Sequence, residues 1–450
     1  MYHHLKLFCP KSFLPGLNLF RFYYDRLAFL EELAGSQAPV VTFTVGGRRL
    51  FLVNQPDLVK DILVTNHSQF KKGFGLERAK VILGEGLLTS EGELHRRQRR
   101  IIQPVFQHKH LQNYADVMLE QTEKAQASWR SEINLTQEMM RLTLLIVGKA
   151  LFRADLGSKT EEITALVTTM MESFLYITSP FYSLFRIAGK KLKAAIQARE
   201  KLNQMLAEMI NDRRNSAVQG EDLFSLLFSA QDNESGARMS DQQLRDEAMT
   251  LFLAGHETTA NGLCWTLFLL AKHPEIQTRL HVELETVLEG QRPTVTQLGR
   301  LVYLEKVIRE SLRLYPPAYI MGRRTVQDYS LAGVKIPAGS ILFFSQWTTQ
   351  RSSRLYSDPD IFDPERWTPQ FLAALPRFGY FPFGGGPRQC IGEGFAWMEM
   401  SLVLAFLIQK WRFELIPGQS IKPKPAMTLR SSQPIYMRLS SSAQRSTEES

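Results

Sequence analysis

The segment AMTLFLAGHETTANGLCWTLFLLA, residues 248–271, is apolar on every face at both ends and polar in its middle. A helix with apolar residues all round must be covered, either by the rest of the protein or by a membrane. The polar centre, GHETTAN at 255–261, is badly tolerated in a membrane span. The segment therefore predicts a buried helix in a protein whose core is large enough to surround it.

The centre of this helix is also a candidate for chemistry. Burying Glu257 and Thr258 costs free energy unless a partner or water satisfies them. Gly255 removes side-chain bulk on nearly the same face, and the Thr258 hydroxyl can bond the carbonyl of Ala254 and bend the helix open. A gap, an alcohol and an acid together predict a place where a small polar molecule is bound and protonated. The alternative is a satisfied polar pair inside the core.

Length and composition allow such a core. A chain of 450 residues would divide into two or three domains of typical size. Its 44% apolar and 22% charged residues are typical of a globular protein, and only the end SSSAQRSTEES, 440–450, has the composition of a disordered tail. The N-terminal region has no uninterrupted apolar stretch of membrane length and no signal-peptide layout, so no transmembrane anchor is expected.

Charge and cysteine content narrow the partners and the compartment. The net charge of +9 permits acidic partners. The sequence shows neither zinc-finger spacing nor an aromatic and basic RNA-binding signature, so nucleic acid is not an expected partner. Cys9, Cys264 and Cys390 are far apart and odd in number, which argues against a disulfide framework and favours a reducing compartment such as the cytoplasm.

Two further motifs pair charged residues on helix faces. In ESLRLYPP, Glu310 and Arg313 are three residues apart and can form an ion pair; the helix around them is apolar, so the pair is expected to be buried and to need a further partner, for which Arg366 is a candidate. In GELHRRQRR, His95 and Arg99 are four apart and can hold one anion together. The alternative for the second motif is a solvated basic face.

The stretch FGGGPRQCIGEG, 383–394, places Cys390 after a run of glycines and before a helix. The helix start favours negative charge, which lowers the thiol pKa and stabilises a thiolate. A phosphate-binding loop is disfavoured because the Lys-Ser/Thr ending is missing, and zinc is disfavoured because no second Cys or His stands at ligand spacing. A nucleophile remains possible, although no base is evident nearby.

Taken together and in this order, these motifs resemble the cytochrome P-450 family of haem-thiolate monooxygenases. The haem-loop pattern Phe-x-x-Gly-x-Arg-x-Cys-x-Gly is matched at 383–392, and the oxygen-activating pattern at 254–259. The Glu-x-x-Arg motif is matched at 310–313, and the Pro-Glu-Arg-aromatic motif at 364–367. The resemblance covers roughly residues 40 to 440.

The family resemblance implies a fold and a cofactor site. The fold would be mainly α with a small β-rich lobe (α+β), a triangular prism around a buried haem. Residues 1–439 would then form one domain, with β-rich parts near 40–54, 328–346 and 427–439, in place of the two or three domains that length suggests.

Cys390 would be the axial ligand of the haem iron, and Glu257 with Thr258 the acid and alcohol that deliver protons during O2 activation. The haem-propionate donors would be His95, Arg99, Arg323 and Arg388. Other haem contacts would be Ala254, Phe383, Gly384 and Gly392. The structural triad behind the haem loop would be Glu310, Arg313 and Arg366. One departure is His95, where many relatives carry Trp.

The resemblance also implies a reaction and partners. The enzyme would insert one oxygen atom from O2 into a hydrophobic substrate such as a fatty acid, terpenoid or steroid. Its cofactor would be haem b, with electrons from NAD(P)H reaching it through a separate ferredoxin- or flavodoxin-type donor and its reductase. A soluble, bacterial-type monomer is expected. The expected substrate contacts are Phe74, Leu87, Met171, Phe174, Phe252, Ala318, Tyr319, Ile320 and Gln433.

Two other functions remain open at this point. The same fold also supports peroxide-dependent peroxygenases and hydroperoxide isomerases; these often lack the acid and alcohol pair that is present here. A non-catalytic haem- or lipid-binding protein would bind the same cofactor and ligand without forming product.

Overall fold

The structure is a computed structural model that describes residues 17–45, 47–178, 187–215, 223–229, 236 and 238–442. Cys9, Gly46 and residues 443–450 of the expected tail lie outside the described residues. The helices are α1 (Leu17–Tyr24), α2 (Arg26–Gly35), α3 (Pro56–Lys60), α4 (Phe74–Leu83), α5 (Gly92–Ile102), α6 (His108–Ala127), α7 (Leu135–Phe152), α8 (Thr160–Thr178), α9 (Ile187–Asn215), α10 (Leu223–Ser229), α11 (Asp241–Lys272), α12 (Pro274–Leu288), α13 (Val295–Leu298), α14 (Val302–Leu314), α15 (Gln346–Thr349), α16 (Pro369–Ala374) and α17 (Glu393–Lys410).

The strands of the described residues form four small sheets. They are β1 (Val40–Val45), β2 (Arg48–Val53), β3 (Phe70–Lys72), β4 (Glu132–Asn134), β5 (Met321–Thr325), β6 (Tyr329–Leu331), β7 (Val334–Ile336), β8 (Ile341–Phe344), β9 (Trp411–Leu415), β10 (Pro423–Pro425), β11 (Leu429–Ser431) and β12 (Tyr436–Ser441). The largest sheet has the order β1-β2-β8-β5-β3, and β4-β12-β9 form a second; β6-β7 and β10-β11 are two-stranded hairpins. Long helices with small separate sheets confirm the predicted α+β class.

The long helix α11 lies in the middle of the main hydrophobic core. It packs against α7, α14 and α17, and most of its residues are buried. Ser240 caps its start: the Ser240 hydroxyl accepts from the Gln243 N–H, and the Gln243 side chain accepts from the Ser240 N–H. The helix is therefore buried in protein, as the apolar ends of the segment predict. In the described part of the chain, no helix is long and apolar enough to cross a membrane.

The end of the chain is ordered further than its composition suggests. Strand β12 runs to Ser441, where it pairs with Trp411 of β9, and the Ser442 hydroxyl donates to the Gln409 carbonyl. The expectation of a tail from residue 440 is therefore wrong for its first three residues. Backbone pairing with β9 compensates for the polar composition there.

Candidate active site

The loop before α17 is shaped by backbone contacts. The Cys390 N–H donates to the Phe383 carbonyl at 2.9 Å, which closes the loop on itself. Gly386 has φ +68°, and a Cβ at this position would lie 1.9 Å from the Leu63 carbonyl oxygen. Glycine is therefore required here because the loop presses against the backbone near residue 63. Gly384 also has a positive φ, +72°, and Gly392 is the residue just before α17.

The Cys390 sulfur is accessible although protein surrounds it. The side chain has exposed surface, yet removal from bulk water raises the pKa of its thiol to about 11. The nearby Glu393 raises the pKa further, while the Gly392 N–H and Arg99 lower it without compensating. The helix start lowers this pKa through the Gly392 N–H, as expected, but desolvation outweighs that effect and the net shift is upward. A sulfur placed in this way faces an internal space and needs a cation beside it to stay a thiolate at neutral pH.

One face of α11 also carries residues with accessible surface. Ala254 is exposed and Gly255 and Thr258 are half-buried, although residues 251–253 before them and His256, Glu257 and Thr259 around them are buried. The Thr258 hydroxyl donates to the Ala254 carbonyl at 2.5 Å, which is the predicted contact. Gly255 serves another purpose, because its added Cβ would lie 3.2 Å from the Val147 side chain of α7. The gap in the helix surface is therefore at Ala254, and Gly255 allows close packing of two helices.

Glu257 is buried and held by the β10–β11 hairpin. Its Oε1 accepts from the Thr428 hydroxyl and from Arg430 Nε, the latter at 2.8 Å. Asn261 Nδ2 donates to the same Thr428 hydroxyl at 3.1 Å. The alternative of a satisfied polar pair therefore holds for one carboxylate oxygen only, because Oε2 is buried with no hydrogen-bond partner.

A cluster of basic side chains lies beside the cysteine loop. Burial and the neighbouring charges of Arg388, Lys72, Arg99 and Arg323 lower the pKa of His95 to about 3. Burial and, after it, the charge of Arg388 lower the pKa of Arg323 to about 10, while Glu91 opposes them. Arg388 pairs with Glu91 and donates to the Ser90 carbonyl, while Arg99 donates to the Gln389 carbonyl at 2.7 Å. The four donors expected from the sequence are thus brought together.

Lys72 is a member of this cluster that sequence reasoning missed. It is buried at the end of β3 and donates to the Leu87 and Ser90 carbonyls, and burial with the charge of Arg388 lowers its pKa to about 6. The neighbouring carboxyls are Glu91 and Glu247, and burial raises the pKa of Glu247 to about 8. Positive charge therefore exceeds negative charge in the cluster. Sequence patterns gave no signal for Lys72, since its burial depends on β3 pairing with β5, far away along the chain.

The Glu-x-x-Arg motif at 310–313 forms a buried network. Arg313 donates from Nε and Nη2 to the two oxygens of Glu310, each at 2.8 Å, and both side chains are fully buried. Arg366 Nε donates to Glu310 Oε1 at 2.8 Å, so the predicted third partner is present. The Asp363 N–H and Trp367 Nε1 complete the set of donors to Glu310. The network joins α14 to the segment 363–367 that precedes the cysteine loop.

Six of the nine expected substrate contacts divide into two groups. Leu87 and Met171 are buried in the main core, whereas Phe74, Phe174, Ala318 and Ile320 retain accessible surface. Phe74 is stacked by Arg78, whose guanidinium carbon lies 3.9 Å from the ring centroid.

The other three expected substrate contacts do not fit the wall of a substrate cavity. Phe252 is two residues from Ala254, on the opposite side of α11, and its ring packs 5.9 Å from that of Phe152. Tyr319 is buried in a separate cluster, and its hydroxyl donates to the Ala426 carbonyl. Gln433 lies on an exposed turn and donates to the Ser420 carbonyl, because the tip of the hairpin falls earlier, at 426–428.

Comparison with known proteins identifies the family. The family model described as Cytochrome P450 matches residues 14–439. The chain belongs to the cytochrome P450 family. It is 38% identical over 408 residues to cyclooctatin synthase of Streptomyces melanosporofaciens, covering 90% of this chain and 89% of that protein. It is 33% identical to cyclooctat-9-en-7-ol 5-monooxygenase of the same organism, covering 88% and 86%. It is 32% identical to pentalenene oxygenase of Streptomyces avermitilis, covering 92% of each chain.

This P450 is a monooxygenase with haem b as cofactor, O2 as co-substrate and a lipophilic substrate, and its electrons come from NAD(P)H through a redox partner. Two features of these residues fit haem b. The accessible, enclosed Cys390 sulfur suits a metal cation, and the excess of positive charge around His95 suits the two carboxylates of haem b. Among the described residues no group of three or more His, Cys, Asp or Glu side chains could hold a metal ion.

Proposed function

We propose that this P450 hydroxylates a cyclic terpenoid. Cyclooctat-9-en-7-ol and pentalenene, named in its relatives, are substrates of this class. The half-buried side chains with accessible surface, Phe174, Ala318 and Ile320, are apolar, and such a lining suits a hydrocarbon skeleton. A steroid or a fatty acid is the competing substrate class.

The observation that carries the proposal is the accessible sulfur inside an enclosed loop. We infer that the Cys390 thiolate would bind the haem iron and that His95, Arg99, Arg323 and Arg388, with Lys72 added, would hold the propionates. Ala254, Phe383, Gly384 and Gly392 would line the same site, and Glu310, Arg313 and Arg366 would support the loop from behind. When bound, haem b activates O2 for insertion of one oxygen atom into a C–H bond.

Proton supply falls to the chain itself. Each turnover consumes protons as well as electrons, because the second oxygen atom leaves as water. Thr258 faces the open part of α11, and Glu257 is the adjacent carboxyl group. We propose that Glu257 takes protons from solvent and that the Thr258 hydroxyl passes them on.

The finer identity of the electron donor is part of the proposal. A cavity of about 250 Å³ lies beside the cysteine loop, lined in part by Arg309, Arg377, Gln389 and Trp397. The exposed Arg377 at this cavity suits an acidic protein, so we propose a ferredoxin or flavodoxin as the donor. The enzyme is proposed to act in the cytoplasm as a monomeric single domain.

The proposed ligand is tested by spectroscopy. The reduced protein with CO should show a strongly red-shifted Soret band, and Cys390→Ser should abolish it, because the thiolate donates electron density to the iron. Cys264→Ser is the matched control, since Cys264 is buried in the core and donates weakly to the Leu135 carbonyl. A red-shifted band that persists in Cys390→Ser would place the ligand elsewhere. Spectral titration with terpenoids, steroids and fatty acids then separates the substrate classes.

A further inference from the structure

The β10–β11 hairpin is tied to two other parts of the molecule near its tip. The Leu429 N–H donates to the Pro317 carbonyl at 2.9 Å, on the segment that follows α14. Trp265 of α11 donates from Nε1 to the Leu429 carbonyl at 2.9 Å. The tip is therefore fixed against the helix that carries Glu257 and against a segment expected near the substrate.

Two side chains of this hairpin converge on one oxygen of Glu257. The Thr428 hydroxyl and Arg430 Nε both donate to Oε1. The Glu257 side chain is 2% exposed and that of Arg430 is 21% exposed, so the ion pair is shielded on one side and reaches solvent on the other. Asn261 orients the Thr428 hydroxyl, because its Nδ2 donates to that oxygen and leaves the hydroxyl proton for Glu257.

The other oxygen of Glu257 is unpaired. Oε2 is buried with no hydrogen-bond partner in the structure, and buried carboxylate oxygens normally accept from a donor or an ordered water. A carboxylate whose Oε1 is held by two donors cannot rotate to exchange its oxygens. Its geometry therefore presents Oε2 as the oxygen that is available to water.

We propose that Arg430 and Thr428 are positioning residues that fix Glu257 for proton delivery through Oε2. The proposal rests on the proton-delivery role proposed for Glu257 above. Oε2 takes a proton from a solvent water and releases it toward the Thr258 hydroxyl, so the carboxylate is restored in each cycle and no electron moves at Glu257. Positioning of this kind depends on locking the side chain by neighbouring hydrogen bonds.

The test compares variants of the full-length holoenzyme. Arg430→Gln and Thr428→Val should each lower the product formed per NAD(P)H by several-fold and raise the solvent isotope effect on turnover, because proton delivery becomes slower. The dissociation constant for substrate, measured by spectral shift, should change by less than about twofold, since substrate binding does not need the proton relay. Arg430→Lys should restore part of the coupling. Lys424→Gln is the matched control, because Lys424 is an exposed cation opposite Arg430 on β10.

Urea unfolding supplies a readout that does not depend on turnover. Arg430→Gln should unfold at lower urea than the wild type, because Glu257 is left buried without its cation. The double variant Glu257→Gln/Arg430→Gln should recover part of that loss, since the unpaired charge is gone. Equal unfolding midpoints for the single and double variants would contradict the pairing.

The outcomes separate this inference from the function on which it rests. If Glu257→Gln leaves coupling unchanged, the proton-delivery role itself is wrong. If Glu257→Gln uncouples the enzyme while Arg430→Gln and Thr428→Val do not, the role of Glu257 stands and the positioning role of the hairpin is overturned. Equal uncoupling by Lys424→Gln would also overturn it, because general charge on the hairpin would then explain the effect.

Discussion

Glu310 shows how many hydrogen bonds a single buried carboxylate of this protein accepts. Its carboxylate is fully buried and accepts hydrogen bonds from Arg313, Arg366, Trp367 and the Asp363 N–H. Such a group costs several kcal/mol to desolvate, and the geometry of its partners offsets that cost. Removing the negative charge would leave two arginines buried or nearly buried without their anion.

We therefore expect Glu310→Gln to lower the free energy of unfolding by ~3–5 kcal/mol, the usual cost of breaking a buried ion pair. Glu305→Gln on the same helix is the control: its partner is Arg309, its side chain is 58% exposed, and the expected loss is below ~1 kcal/mol. Denaturant unfolding measures both changes. Equal losses in the two variants would show that the buried network does not stabilise the fold.

Sequence patterns found residues whose role depends on near neighbours along the chain. The Glu310–Arg313 pair and the Thr258–Ala254 contact follow from helical spacing, and both are present. Lys72 and Arg430 were missed because their partners lie far away in sequence, at Leu87 and Ser90 for the first and at Glu257 for the second. The thiol pKa of Cys390 was misjudged for a related reason, since a local helix end can be read from sequence and desolvation cannot.

At the scale of elements, the sequence predicts the position of α11 but not the loop that its first turns bind. The apolar segment 248–271 lies within α11, which begins earlier because Ser240 and Gln243 cap it. Its first turns hold the loop that follows α4: the Glu85 N–H donates to Asp246 Oδ2, and the Leu87 N–H donates to Glu247 Oε2, each at 2.9 Å. A periodicity argument shows which helix face is apolar but not which loop its acids hold.

The Glu247 attachment predicts a pH dependence of stability. Burial is the main cause that raises the pKa of Glu247 from 4.5 to about 8, with Asp246 adding to the rise and Lys72 and the Leu87 N–H opposing it. Between those values the folded chain binds more protons at Glu247 than the unfolded chain, so its contribution to stability falls as pH rises. Glu247→Gln keeps an acceptor for the Leu87 N–H and removes the titration.

We expect Glu247→Gln to be more stable than the wild type near pH 9 and nearly equal to it near pH 5, measured by urea unfolding at about those values. Glu247→Leu is the control: like Glu247→Gln it removes the titration, but it leaves the Leu87 N–H unpaired, so it should be roughly 1–3 kcal/mol less stable than Glu247→Gln at both values. A wild-type advantage that grows toward high pH would contradict the raised pKa.

At the scale of the whole molecule, the positive charge lies partly in the interior and partly at the surface. Part of it lies inside, in the cluster around His95, where the haem carboxylates are proposed to balance it. Another part lies at the surface near the cysteine loop, where Arg377 is exposed at the cavity that also contacts Gln389. Sequence alone gives the sum of charges but cannot divide it between interior and surface, because that division depends on the folded chain.

The surface part predicts how electrons arrive. Arg377→Glu should slow reduction by an acidic ferredoxin or flavodoxin several-fold at low salt, because it places a negative charge beside the proposed docking site. The wild-type rate should fall as salt rises, since screening at 0.1 M ionic strength shortens the reach of charge to about 10 Å. Reduction by dithionite and peroxide-supported turnover bypass the protein donor and should stay unchanged in the variant.

Arg49→Glu, which makes the same charge change in an exposed residue of the β1–β2 hairpin, should leave the rate near the wild-type value. If Arg49→Glu slows reduction as much as Arg377→Glu, total charge and not this cavity governs the encounter with the donor.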